Sequence, residues 1–451
     1  MARTLNMTSG SPGKLLFSFA LPLMFGNIFQ QLYTIVDTAI VGRGVGMTAL
    51  AALGTVDWLN WMMLGIAQGF TQGFSIRMSQ RFGARDMDGL KQTLGNSVLL
   101  TAFVAILGTL ISQLGLPLFL RLLQAPTSLI PSAILYSRII MGGFAAVCFF
   151  NLCSATLRAV GDSKTPLIAM VIASVTNIVL DILAVFVLEW GIAGAAAATV
   201  FSQLLAGSLC AVKIAKTSEL QFERRHLVLD LPMAKDLMAI GIPGAVKNTI
   251  IAVGGMFVQA VINSFDSMSF IAGFTATNKL YGLLEIAALS YGYAVTTYVG
   301  QNYGAGLFPR IRQGVRAANI LALVSAVIMA AAMIVFGRPI TMLFISREDM
   351  ALAIAAGETA YRYLFCMSIS LPVLYALYVF MSALQGMGNT VLPMYSGGVE
   401  LVIRITMSLL VAHFGVQEGI YWAEVGAWYG GAATQALFYF LQMRKIKKQL
   451  Q

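Results

Sequence analysis

Long uncharged stretches dominate the chain, and charged residues gather in short clusters between them. Runs of 18 or more residues without Asp, Glu, Lys or Arg fall at 15–36, 58–76, 92–120, 139–157, 190–212, 248–265, 286–309, 317–337, 363–399 and 425–443. A helix needs about 20 mostly apolar residues to cross the hydrocarbon core of a bilayer, so each run predicts a span. Two more apolar stretches, 165–187 and 391–416, are broken by Asp181 and by Glu400 with Arg404. Within 363–399, Gly386, Gly388, Asn389 and Pro393 mark a turn that ends one helix and opens the next. The pattern predicts an all-α integral membrane protein with twelve transmembrane helices.

Composition agrees. Hydrophobic residues make up 58% of the 451 and charged residues 11%, with a mean hydropathy of +0.80. A soluble domain carries about 25% charged residues, which excludes a water-soluble enzyme of ordinary type. The net charge of +10 raises nucleic acid as a partner, and its placement answers the question. With a cytoplasmic N-terminus, twelve spans put twenty Lys and Arg on the inner side. Only Arg43, Arg121, Arg338 and Arg347 fall outside, and Arg138, Lys247, Lys279, Arg362 and Arg404 lie within spans. Basic residues concentrate in cytoplasmic loops, so the bias predicts a multi-pass protein of the cell membrane with both termini cytoplasmic. It leaves no need for a nucleic-acid partner. The first apolar segment is long and lacks a small-residue cleavage site, so no cleavable signal peptide is expected.

The sequence repeats. Lys14, Pro22, Asn27, Gln80, Gly83, Ala84 and Gln92 recur 221 residues later as Lys235, Pro243, Asn248, Gln301, Gly304, Ala305 and Gln313. Further on, Tyr136, Leu157, Gly161 and Pro166 recur at a spacing of 227 as Tyr363, Leu384, Gly388 and Pro393. One longer outer loop near 338–350 would supply the six-residue step. Six spans return the chain to its starting side, so the halves run in the same sense through the membrane. Parallel repeats are related by a pseudo-two-fold axis along the membrane normal, with transport sites near their interface. The predicted lobes are 1–216 and 234–451, joined by a charged cytoplasmic linker at 217–233.

Charges inside spans are costly and need a reason. In the first half these are Asp37 in the first span and Asp181 in the fifth. Asn177 sits one helical turn before Asp181 on the same face. Thr199 lies in the small-residue run 191–200 of the sixth span, where close helix contact is possible. Two carboxylates, an amide and a hydroxyl make a hard oxygen site, suited to a proton, Na⁺ or a cationic amine. The plainer alternative for Asp37 is a cap or ion pair near the interface, and Asp57, near a span start, reads as interfacial. In the second half, Glu400 and Arg404 have the spacing of an intrahelical pair, as do Glu358 and Arg362. Lys247 and Lys279 have no acid one turn away on their own spans, which leaves pairing with Glu285 or Glu400 across helices, or loss of the proton on desolvation. Lys247, Lys279, Glu285, Glu400 and Arg404 are thus candidates for a substrate cavity or for structural pairs. Cys148, Cys153, Cys210 and Cys366 have no metal or disulfide spacing, and His226 and His413 are isolated. No Walker-type loop is present, so transport is expected to run on an ion gradient or passively.

The stretches Pro22–Asn27, Leu32–Asp37 and Val41–Arg43, then Tyr298–Ala305 and Val399–Arg404, resemble the MATE (multidrug and toxic compound extrusion) transporters over essentially the whole chain. The resemblance is to the prokaryotic branch with an amino-lobe ion site. It implies a monomeric exporter without a cofactor, exchanging amphipathic, cationic compounds for H⁺ or Na⁺. In that branch an Asp of the first span, an Asn and Asp of the fifth and a Thr of the sixth are functional. Asp37, Asn177, Asp181 and Thr199 match them, and Pro22 matches a first-span proline at which a bend accompanies transport. Members with a carboxyl-lobe ion site use a Glu in the seventh span, where this chain has Lys247 and no acid between Asp236 and Asp266. The resemblance therefore favours the amino lobe. A flippase or exporter of a lipid-linked or anionic metabolite on the same architecture is the alternative, and Lys247, Lys279 and Arg404 are the residues that would favour it.

Overall fold

The computed structural model describes residues 5–122, 129–265, 267–342, 345 and 350–449. Arg3, Asp266, Arg347 and part of the loop expected near 338–350 fall outside the described residues. The first half forms α1 (Pro12–Gly44), α2 (Met47–Gly83), α3 (Met87–Leu122), α4 (Ile130–Gly142), α5 (Phe144–Ala159), α6 (Lys164–Ile182) and α7 (Gly191–Ala215). The second half forms α8 (Leu231–Asn263), α9 (Met268–Gly304), α10 (Phe308–Thr341), α11 (Met350–Gly386), α12 (Val391–Phe414) and α13 (Tyr421–Gln449). Among the described residues there is no strand.

Eight of these helices are each long and apolar enough to cross a bilayer, with α6 counted together with the turn that follows it. The pair α4 and α5, bent by 41°, forms one broken span. The three remaining helices, α2, α9 and α13, are long enough at 37, 37 and 29 residues but more polar. The fourth span departs from the uninterrupted helix expected over 139–157. Gly142 and Gly143 supply the break, since paired small residues are a common cause of sharp kinks. A Cβ at Gly143 would strike Val200 of α7, so glycine is also what lets α7 approach there. The expected turn in 363–399 lies between Gly386 and Val391. Gly415, at φ 69°, ends α12 in the left-handed conformation glycine adopts without strain.

Backbone geometry carries the repeat further than residue identity does. Gly161 and Gly388 take φ of 89° and 86° at the 227-residue spacing. Arg85 and Gly306 take 60° and 70° at the 221-residue spacing, so the first half holds an arginine where the second uses glycine.

The chain forms two compact units. Unit 1 comprises Met1–Ser9, Leu21–Asn248 and Gly300–Gly306, and unit 2 comprises Gly10–Ala20, Thr249–Val299 and Leu307–Gln451. In unit 1, α2 packs on α3, α4 and α5, while α7 packs on α4, α5 and α6. The segment linking the sequence halves is docked on α3. Buried Asn96 accepts from the Asp230 N–H at 2.9 Å and donates to the Val228 carbonyl at 3.3 Å, and His226 Nε2 lies 3.3 Å from Asp88. Arg77 of α2 makes a two-pronged ion pair with Asp236 of α8, at 2.6 and 2.7 Å. Beside it the repeat meets itself: a Cβ on Gly83 would overlap the Gln301 carbonyl, and a Cβ on Gly304 would overlap the Gln80 carbonyl. Buried Met7 is held there too, donating its N–H to Gln301 Oε1 at 2.8 Å and accepting from Asn302 at 3.1 Å.

In unit 2, α11 packs on α10 and α13, and α12 on α13. Phe274, Tyr363 and Tyr421 stack in sequence, with ring centroids 4.5 and 5.3 Å apart. Offset stacking of this kind adds to what ring burial alone provides. Large apolar side chains such as Leu114, Ile328 and Val335 point outward, as a lipid-facing surface requires.

Candidate functional site

Asp37 lies seven residues before the end of α1, and Asp181 one residue before the end of α6. They are 8% and 0% exposed, and their carboxyl groups are electrostatic neighbours. Two carboxylates can share a hydrogen bond only through a proton, because an ionised carboxylate only accepts. Neither oxygen of Asp181, nor Oδ1 of Asp37, has a donor among the described residues. Asn177, 1% exposed, lies one turn before Asp181, and Thr199 comes from α7. The amide of Asn177 and the hydroxyl of Thr199 are likewise without a hydrogen-bond partner among the described residues. Buried polar groups left unbonded are uncommon in folded proteins, so this concentration on three helices asks for a ligand.

Asn177 and Thr199 line one small cavity with Tyr33, Ser174, Ser202 and Gln203. Its free volume is about 10 Å³, room for a single water-sized species. Tyr33 is one turn before Asp37, Ser174 three residues before Asn177, and Ser202 and Gln203 three and four after Thr199. Helical periodicity places all four on the faces already identified, and that signal was available in the sequence. Tyr136 of α4 adds a phenol near both carboxyls.

Directly after Asp181 the helix widens into a π turn, Leu183–Val187, closed by the Leu188 N–H donating to the Leu183 carbonyl at 2.9 Å. The Trp190 N–H donates to the Ala184 carbonyl at 2.8 Å. Such turns recur at functional sites because they re-aim the neighbouring side chains. Pro22 sits inside α1, as Pro243 does inside α8. Each removes a hydrogen bond from its helix interior. Asp57 is exposed on α2.

The second-half candidates lie on three helices, Lys247 on α8, Lys279 and Glu285 on α9, and Glu400 and Arg404 on α12. Lys247 of α8 is buried at 6% exposure, whereas Lys279 of α9 is exposed. Glu285, 7% exposed, accepts a hydrogen bond from the Tyr378 hydroxyl at 3.0 Å. The expected pairing of Arg404 with Glu400 is corrected. Arg404 donates from Nε and Nη2 to Glu424 of α13 at 2.8 and 2.7 Å, while Glu400 stays an electrostatic neighbour. A bidentate carboxylate matches the planar guanidinium fork better than an acid on the same helix, which reaches it end-on. Glu424 went unnoticed in the sequence because it directly precedes the uncharged run 425–443. Glu358 and Arg362 do pair at 3.1 Å, and Arg338 and Glu418 extend them into a network. Among the described residues no three His, Cys, Asp or Glu side chains form a metal cluster.

Comparison with known proteins bears on the whole chain. The MatE family model matches residues 22–183 and again 243–410. The two matches begin and end at the 221- and 227-residue spacings of the internal repeat. "Probable multidrug resistance protein YpnP" of Bacillus subtilis is 30% identical over 360 residues, 78% of each chain. "Probable multidrug resistance protein NorM" of Thermotoga maritima is 25% identical over 96% of this chain and 93% of its own. The crystal structure of MATE in complex with MaL6 superposes at a TM-score of 0.92, covering 99% of this chain and 100% of that one at 22% identity. The chain belongs to the MatE family: it is a multi-pass membrane transporter of small molecules with the family's two-lobe, twelve-span fold, and not an enzyme.

Proposed function

We propose that the chain is a secondary active efflux transporter, exchanging amphipathic, cationic drugs or toxic metabolites for H⁺ or Na⁺ by alternating access. The observation that carries this reading is the buried Asp37–Asp181 pair, with three of its four oxygens lacking a donor among the described residues, together with Asn177 and Thr199, which line a cavity sized for one small species. An oxygen-rich, acidic, nearly dry site suits a proton or a hard monovalent cation. Asp37 and Asp181 take the ion, Asn177 and Thr199 contribute neutral oxygens, and Pro22 gives α1 a place to bend as the ion enters or leaves. The lobes 1–216 and 234–451 rock against each other, in the cell membrane, as a monomer with both termini cytoplasmic. The printed names of relatives such as YpnP and NorM, multidrug resistance proteins, support the cargo class. The anionic-cargo alternative loses one of its three supports, because Arg404 is neutralised by Glu424.

The test is ion-driven efflux from vesicles carrying Asp37→Asn or Asp181→Asn, with Na⁺ and H⁺ gradients imposed separately. Coupled efflux is expected to collapse in both variants. Undiminished coupling in both would sink the proposal.

A further inference from the structure

Unit 2 holds its own buried polar cluster, which the exchange reading does not use. Glu285 of α9 is met by Tyr281 from its own helix, Tyr378 from α11, Arg404 from α12 and Glu424 from α13. Glu400 of α12 neighbours both Arg404 and Tyr378. The cluster thus sets one guanidinium among three carboxyl groups. Arg404 spends Nε and Nη2 on Glu424, which also accepts from the Trp428 indole at 3.2 Å. Its third nitrogen, Nη1, is buried without a hydrogen-bond partner among the described residues, so it does not serve Glu285. Glu285 instead accepts from the Tyr378 hydroxyl at 3.0 Å, and the Tyr281 hydroxyl also reaches it. Among the described residues its hydrogen-bond donors are hydroxyls, with Arg404 an electrostatic neighbour, and a carboxyl so placed inside a span is a group that can bind a proton.

We propose that Glu285 is an exchangeable proton site of the carboxyl-terminal half, with Tyr281 and Tyr378 as its positioning residues. Tyr378 donates to Oε1, and the exchangeable proton is carried by the same carboxyl group. When the proton departs, the Tyr378 hydroxyl remains as a donor to the carboxylate, and the Tyr281 hydroxyl stands between Glu285 and Glu424. For its role in transport this inference rests on the ion-exchange reading above; the proton binding itself does not.

Infrared difference spectroscopy of the purified full chain, titrated in H₂O and D₂O, tests it. A protonated-carboxyl band that shifts in D₂O and vanishes on deprotonation is expected to be lost in Glu285→Gln and kept in Asp37→Asn and Asp181→Asn. Tyr378→Phe retains the ring and removes the donor to Oε1, so the same band is expected to shift. In vesicles, Glu285→Gln is expected to lower the number of protons moved per cargo. Spectra of Glu285→Gln and Tyr378→Phe superimposable on the unaltered protein would overturn the proposal. Full coupled efflux in Asp37→Asn and Asp181→Asn, with the band still lost in Glu285→Gln, would instead sink the amino-half ion site and support Glu285 as carrier.

Discussion

Arg404 and Glu424, twenty residues apart in sequence, close a bidentate ion pair between α12 and α13 with the arginine side chain 3% exposed. Removing one partner of such a pair strands the other charge. Glu424→Gln is therefore expected to destabilise the protein by about 3–5 kcal/mol, read as a lower unfolding midpoint in detergent. Replacing both residues by apolar ones of similar volume should recover most of that loss.

The Arg77–Asp236 pair has equally good geometry and a different expected energy. Its side chains are 32% and 45% exposed, so solvent screens the attraction. A double-mutant cycle with Arg77→Gln and Asp236→Asn should give a coupling below about 1 kcal/mol, smaller still at high salt.

Thr199 offers a separation of stability from function. Its hydroxyl has no hydrogen-bond partner among the described residues, so Thr199→Val removes an unmet polar group without changing shape. The unfolding midpoint is expected to hold or rise, by up to about 1 kcal/mol in stability. Ion-driven efflux is expected to fall because the cavity loses an oxygen. A variant that loses stability and keeps its efflux would contradict both halves of the expectation.

At Arg85 the left-handed backbone of φ 60° is imposed on a side chain that prefers otherwise. Arg85→Gly, the residue its repeat partner Gly306 already has, is expected to relieve about 1 kcal/mol, partly offset by the entropy glycine loses on folding. Thermal unfolding against the wild type measures the difference, and Gly306→Arg should show the opposite sign.

Hydrophobic runs were enough to place twelve spans, because lipid imposes one length on every helix that crosses it. They were not enough to reveal the break at Gly142 and Gly143, because an uncharged run reads the same whether its helix is straight or bent. The amino-half cluster was legible for a specific reason: Asn177 and Asp181 share a face by local periodicity, and an acid within an apolar span, as Asp37 is, stands out from the residues around it. The partner of Arg404 was not legible. An i,i+4 spacing made Glu400 the obvious choice, yet tertiary packing offered Glu424 a two-pronged approach that no local rule encodes. Tyr33, Ser174 and Gln203 could have been found by extending the same helical faces by one turn.

The reciprocal approach of Gly83 to Gln301 and of Gly304 to Gln80 has a bearing on descent. When residue i of one copy meets residue j of another, and j meets i in return, the contact is isologous, as in a symmetric dimer. Here the two copies are halves of one polypeptide, and the glycines are equivalent positions of the duplication. A six-span chain carrying only the first of these motifs would already own both sides of the contact, and could make it with a second molecule of itself. One polypeptide here makes with itself the contact that a symmetric dimer makes between two molecules.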